Sequence, residues 1–111
     1  YNVDIVMESG SKSVKAFLDT GNELKEPATN LPVIIVERSE FLDVNIEGYD
    51  KLYIPYRVVN GGCDKLLGFK PKSVIIKTQN TTESREAVVA FCDDRLSEFS
   101  DYHALLPRGV I

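Results

Sequence analysis

Asp19, Thr20 and Gly21 follow two large apolar residues in "FLDTGNEL", positions 17–24. Asp, Gly and Asn are turn residues, and on that ground the segment is a strand running into a turn. The same residue types suit a carboxylate held at a strand end for acid–base chemistry. Two carboxylates too close to ionise together share one proton, and the pair titrates as a unit. One then acts as base on a bound water and the other as acid on a peptide carbonyl. In such a loop Asp supplies the acid and Thr can hydrogen-bond to the facing loop. Gly lets a backbone N–H approach the carboxylate with no Cβ in the way. Asp43, Asp50, Asp64, Asp93, Asp94 and Asp101 are not followed by Thr-Gly or Ser-Gly. The second carboxylate is therefore expected from a second copy across a two-fold axis.

Other chemistries find less support. Cys63 and Cys92 lack the CxxC spacing and second ligand cluster of a zinc site, so no metal or other cofactor is expected, and two free thiols are the default reading. His103 is the only histidine, and a Ser-His or Cys-His enzyme would have to use it; "DYHALLPRG" holds nothing nearby to orient it. With 13 basic against 17 acidic residues and a net charge of -4, there is no positive stripe for phosphates, and nucleic acid is not an expected partner. "NTT" at 80–82 matches a glycosylation acceptor but reads as a polar loop. No apolar run reaches membrane-span length, and no signal peptide is evident. The chain opens on a strand-like stretch without an initiator Met, as a piece of a longer protein would.

The elements that must position Asp19 are mostly strands. Val3, Ile5 and Met7 alternate with polar neighbours, and after "ESGSK" the residues Val14, Ala16 and Leu18 alternate on a return strand. Pro27 and Pro32 bar a long helix from the polar stretch that follows. "PVIIVE" has the continuous apolar character of a strand buried on both faces. "RSEFLDVNIEGYD" can hold one helical turn starting at Ser39. "KLYIPYRVV" and "CDKLLGFKP" flank Asn60, Gly61 and Gly62, which predicts a hairpin, and Pro55 places its first arm on a sheet edge or where the N–H side at that position faces solvent. "SVIIKTQ" and "EAVVAFCD" are two further strands joined by polar "NTTES". Leu96, Phe99, His103 and Leu106 fall at helical spacing, which predicts a short C-terminal helix ended by Pro107 and Gly109. The expectation is one mainly-β domain over 1–111, a closed barrel or sandwich of about seven strands.

This element order, with the Asp-Thr-Gly at the end of a hairpin's return strand, resembles one half of a retropepsin-like (half-pepsin) aspartic peptidase. The longer text "FLDTGNELKEPATNLPVIIVE", "IPYRVVNGGCDKLLGFKPKSVII" and "AVVAFCDDRLSEFSDYHALLP" resembles the sporulation sigma-E factor-processing peptidases (stage II sporulation protein GA) over nearly the whole chain. The resemblance implies an aspartic endopeptidase domain, active as a two-fold homodimer, that cleaves the pro-segment of pro-sigma-E factor. It also implies an activating signalling protein (stage II sporulation protein R) and a preceding membrane-spanning part. The domain would then lie on the cytoplasmic side of the mother-cell membrane at the sporulation septum. Asp19 would be the catalytic carboxylate, with Thr20, Gly21 and Asn22 completing its loop. Asn22 could hydrogen-bond substrate backbone or cap the turn. Asn60, Gly61 and Gly62 form the candidate flap, and Arg57 could meet an acidic substrate group or an internal carboxylate. Retropepsins carry a hydrophobic-hydrophobic-Gly before their helix; here the matching strand has Ala90, while "LLG" at 66–68 lies earlier, in the hairpin arm. The rival reading is a non-catalytic β-domain that docks a regulator or anchors a sporulation membrane complex, with the Asp-Thr-Gly-Asn as a plain turn.

Overall fold

The computed structural model describes residues 1–57 and 63–111, apart from the side chains of Arg57 and Cys63. The candidate flap at Asn60, Gly61 and Gly62 and the proposed contact of the Arg57 side chain lie outside the described residues. The chain forms β1 (Asn2–Met7), β2 (Gly10–Leu18), β3 (Val33–Glu37), β4 (Leu52–Arg57), β5 (Cys63–Phe69), β6 (Ser73–Lys77), β7 (Thr82–Arg85), β8 (Val88–Cys92) and β9 (Ala104–Leu106). These lie in one sheet of order β4-β5-β8-β3-β9-β2-β1-β6-β7. The protein is mainly β, as the alternating patterns predict. The sheet has two edges, β4 and β7, so the expected closed barrel is not formed among the described residues.

Period-two burial explains the first hairpin. Val3 and Ile5 are fully buried, and Val14 and Ala16 face the same core from β2. Met7 pairs with Gly10, whose φ of 142° lets a two-residue turn reverse the chain. β3 is buried on both faces, as its apolar run predicts. Ile34 and Val36 join a large cluster with residues of β1, β2 and β6, whereas Val33 packs with Ile54, Val88 and Ala90 on the other side. Residues from distant parts of one sheet share the large cluster, so the sheet is curled over its own core. The 38–50 segment covers one end of that core. It contains a 3-10 turn at Arg38–Phe41, one residue ahead of the turn expected at Ser39, and Phe41 meets Phe91 edge-on at 5.7 Å.

Two sequence expectations are corrected. "NTTES" is not only a loop: Thr82–Arg85 pairs with β6 as β7, an exposed edge strand not expected from the sequence. The C-terminal helix does not form. Residues 93–103 are bends and turns, Ala104–Leu106 is a strand, and only a 3-10 turn at Arg108–Val110 follows. Local polar groups compete with helix here. The Ser97 hydroxyl accepts the Asp101 N–H at 3.1 Å, and Ser100 adopts a left-handed φ of 57°. Helical spacing brings Phe99 onto the same face as Leu106, yet Phe99 is 78% exposed while Leu106 is fully buried. The backbone of 103–106 gains sheet partners instead, on both sides: β2 in parallel and β3 antiparallel.

Pro55 does sit on an edge strand, as predicted. Its partner arm carries the displaced glycine of "LLG", and the register places Gly68 opposite Ala90. A Cβ on Gly68 would lie 2.5 Å from the Val89 carbonyl oxygen and 2.9 Å from Ile54 Cδ1. The glycine is required by close approach of β5 to β8. Gly68→Ala is expected to cost about 1–3 kcal/mol through forced strand separation, read as a lower urea midpoint with an unchanged m-value.

Candidate active site

Asp19 is the first residue past β2, and it is half-buried. Its own N–H continues the ladder, donating to the Leu106 carbonyl at 2.9 Å. The chain then turns: the Asn22 N–H donates to the Asp19 carbonyl at 3.0 Å, and the Gly21 N–H donates to Asp19 Oδ1 at 3.1 Å. The Gly21 bond is the backbone approach that motivates glycine there. A Cβ at Gly21 would stand 3.4 Å from the same Oδ1 and occupy that side of the carboxylate. Thr20 and Gly21 are exposed, so the loop tip faces outward.

Asn22 is the residue that anchors this turn from within. It is 7% exposed. Its Nδ2 donates to the Val33 carbonyl at 3.3 Å, and its Oδ1 accepts the Leu24 N–H at 3.1 Å. Of the two roles open to it, the structure shows it securing the turn to the start of β3. Glu26 performs a similar local task. It is 4% exposed, and its carboxylate accepts the N–H groups of Ala28 at 3.0 Å and Thr29 at 2.8 Å.

Asp19 lines a cleft of about 480 Å³ with Gly21, Asn22, Glu23, Leu24, Ile35 and Tyr56. Three separated segments therefore build the cleft, and Leu24, Ile35 and Tyr56 supply its apolar part. Ile35 is half-buried although β3 lies inside the sheet, so the cleft leaves part of that strand uncovered. Tyr56 comes from β4 on the same face as buried Ile54, two residues earlier. Burial and the nearby Asp64 carboxylate hold its phenol above the ordinary tyrosine value. A second hollow of about 400 Å³ lies across the 22–24 segment, between Pro32, Pro107 and Arg108, and Asp19 does not line it.

Tyr56 and Ile35 escaped the sequence reading as cleft residues. Alternation in "LYIPYR" could have placed Tyr56 on the inner face, but not beside Asp19. His103 does not line the cleft. Contrary to the expectation that nothing orients it, its Nδ1 lies 3.2 Å from Glu37 Oε2. Cys92 is a free thiol, and burial pushes its pKa up, which disfavours the reactive thiolate. Among the described residues no helix is long and apolar enough to cross a membrane.

Residues 1–110 match the family described as Peptidase U4, sporulation factor SpoIIGA. The chain is 45% identical over its full length to a Clostridium acetobutylicum protein named "Probable sporulation sigma-E factor-processing peptidase", of which it covers 42%. It is 27% identical, over 99% of its length, to the "Sporulation sigma-E factor-processing peptidase" of Priestia megaterium, of which it covers 43%. The chain thus spans about two fifths of the length of these curated relatives. No solved structure matches it.

Asn22→Ala leaves the Leu24 N–H and the Val33 carbonyl without their side-chain partner. A loss of about 1–3 kcal/mol is expected, seen as a lower midpoint in thermal or urea unfolding. Glu26 supplies a pH test. Its carboxyl is held below the ordinary glutamate value, first by the Ala28 N–H bond. The unfolded chain therefore binds that proton more readily. The stabilisation is complete above the ordinary glutamate value and is lost as pH falls through the depressed one. The stability gap between wild type and Glu26→Gln, measured by urea titration, should be widest at neutral pH and shrink on acidification.

Proposed function

Because this chain belongs to the sporulation factor SpoIIGA family, we propose that it is the aspartic endopeptidase domain of a sigma-factor-processing peptidase. The observation that carries the reading is the Asp19 loop. A carboxylate stands at a strand end, takes a backbone N–H from the glycine two residues on, and borders a partly apolar cleft. The names of the relatives, sigma-E factor-processing peptidases, support a protein substrate; the proposed substrate is pro-sigma-E factor, with its pro-segment as the part removed.

The chain carries one Asp-Thr-Gly, so the working unit is a two-fold homodimer of retropepsin-like halves. The exposed tip at Thr20 and Gly21 suits a loop that meets its twin. The two Asp19 carboxylates share a proton. The ionised one takes a proton from water as that oxygen attacks the scissile carbonyl carbon. The protonated one gives its proton to the carbonyl oxygen. Collapse of the tetrahedral intermediate breaks the C–N bond, and the nitrogen leaves with a proton returned by the pair. Substrate enters extended, with side chains alternating between the cleft and the hairpin of β4 and β5. Asn60, Gly61 and Gly62 are the candidate flap, with the role of excluding water, and Arg57 is a candidate substrate contact. In the longer protein a membrane-spanning part precedes this domain and holds it at the cytoplasmic face of the mother-cell membrane. An activating signalling protein, stage II sporulation protein R, switches it on.

Asp19→Asn is expected to reduce processing of the pro-factor at least roughly a hundredfold. Stability should change by no more than about 0.5 kcal/mol, because the Gly21 N–H keeps an acceptor. The measurement is conversion of pro-factor by the full-length protein, with unfolding followed in parallel. Undiminished conversion by a folded Asp19→Asn protein would leave the non-catalytic β-domain as the better reading.

A further inference from the structure

Glu37 ends β3 and is 6% exposed, and a carboxylate so buried persists only where partners satisfy it. Its Oε2 accepts the Leu96 N–H at 3.2 Å and lies 3.2 Å from His103 Nδ1. Its backbone N–H donates to the His103 carbonyl at 3.0 Å. The other ring nitrogen, Nε2, stands 3.9 Å from Glu40 Oε1 on the 3-10 turn. One imidazole thus lies between two carboxylates from different elements. On β8, Cys92 is the ladder partner of Glu37, and Asp93 and Asp94 follow it. The nearby cations are engaged elsewhere or exposed. Arg38 lies over the Phe91 ring at 5.5 Å, and Arg95 donates to the Glu98 carbonyl. Lys15, whose carbonyl receives the His103 N–H at 2.9 Å, has an exposed side chain. Among the described residues no lysine or arginine pairs with Glu37.

His103 immediately precedes β9, and the last residue of β9, Leu106, holds the Asp19 N–H. We infer that Glu37 and His103 are positioning residues: a hydrogen-bonded clasp on β9 that fixes, through the Leu106 carbonyl, the backbone from which the Asp19 carboxylate projects. Its consequence for turnover rests on the peptidase reading above; the clasp itself does not. The ring holds Glu37 at Nδ1 and turns Nε2 toward Glu40.

The test is amide hydrogen exchange in the 111-residue chain, corrected for intrinsic pH dependence and referred to the amides of β1 and β6. Glu37→Gln should lower the protection of the Asp19 amide roughly tenfold, the size expected for losing a hydrogen bond to a charged group, while β1 and β6 hold. His103→Ala should lower it by a similar factor, and His103→Gln, whose side-chain amide can still donate to Glu37, should restore part of it. Should Glu37→Gln not fold, the two His103 variants decide. Asp19 protection unchanged in folded Glu37→Gln or in His103→Ala overturns the clasp. This readout needs no turnover, so loss of the peptidase reading leaves it standing, and unchanged protection leaves the peptidase reading untouched.

Discussion

The whole sheet hangs on the three residues of β9. Ala104–Leu106 runs parallel to β2 on one side and antiparallel to β3 on the other, and among the described residues it is the only strand joining β2, β1, β6 and β7 to β3, β8, β5 and β4 in the ladder. Ala104 and Leu106 are fully buried in the core that both halves share. Burying a Leu side chain contributes roughly 1.5–3 kcal/mol, but the larger role of β9 is geometric. Its end carbonyl receives the Asp19 N–H, so the candidate carboxylate is placed by the same strand that holds the halves together. A local turn thereby acquires a tertiary address.

Around that address the polar chemistry divides by depth. The tip residues Thr20 and Gly21 are exposed, while Asn22 and Glu26 are buried and spend their side-chain groups on backbone partners. Such bonds are modest when made and costly when one partner is left unpaired. They stiffen the segment leading from the carboxylate to β3 and leave its tip open to another molecule. The homodimer proposed above would use that division: rigid behind, accessible in front.

Glycine shows how a local residue choice can answer a distant demand. "LLG" at 66–68 sits too early in the chain for the family pattern it evokes, yet pairing of β5 with β8 sets Gly68 directly opposite Ala90. The strands approach so closely that any side chain at 68 would meet the Val89 carbonyl. Gly21 answers a local demand instead, since the acceptor of its N–H lies only two residues away.

Strand periodicity made β1, β2 and β3 legible in the sequence, because side-chain alternation and continuous apolar runs are local records of which faces are buried. Pro55 announced an edge strand, because proline cannot donate to a second neighbour. The Asp-Thr-Gly turn was legible because its two defining hydrogen bonds lie within four residues of one another. The C-terminal segment misled because Leu96, Phe99, His103 and Leu106 keep helical spacing. Two vacant ladder positions and the local bond of Ser97 outweighed that pattern, and no local signal records either vacancy. Only the tertiary structure could set Tyr56 and Ile35 beside Asp19, or bring Glu37 to His103 across 66 residues. Those meetings follow from how the sheet curls and which strands become neighbours, and sheet order is a property of the whole chain's packing rather than of any stretch within it.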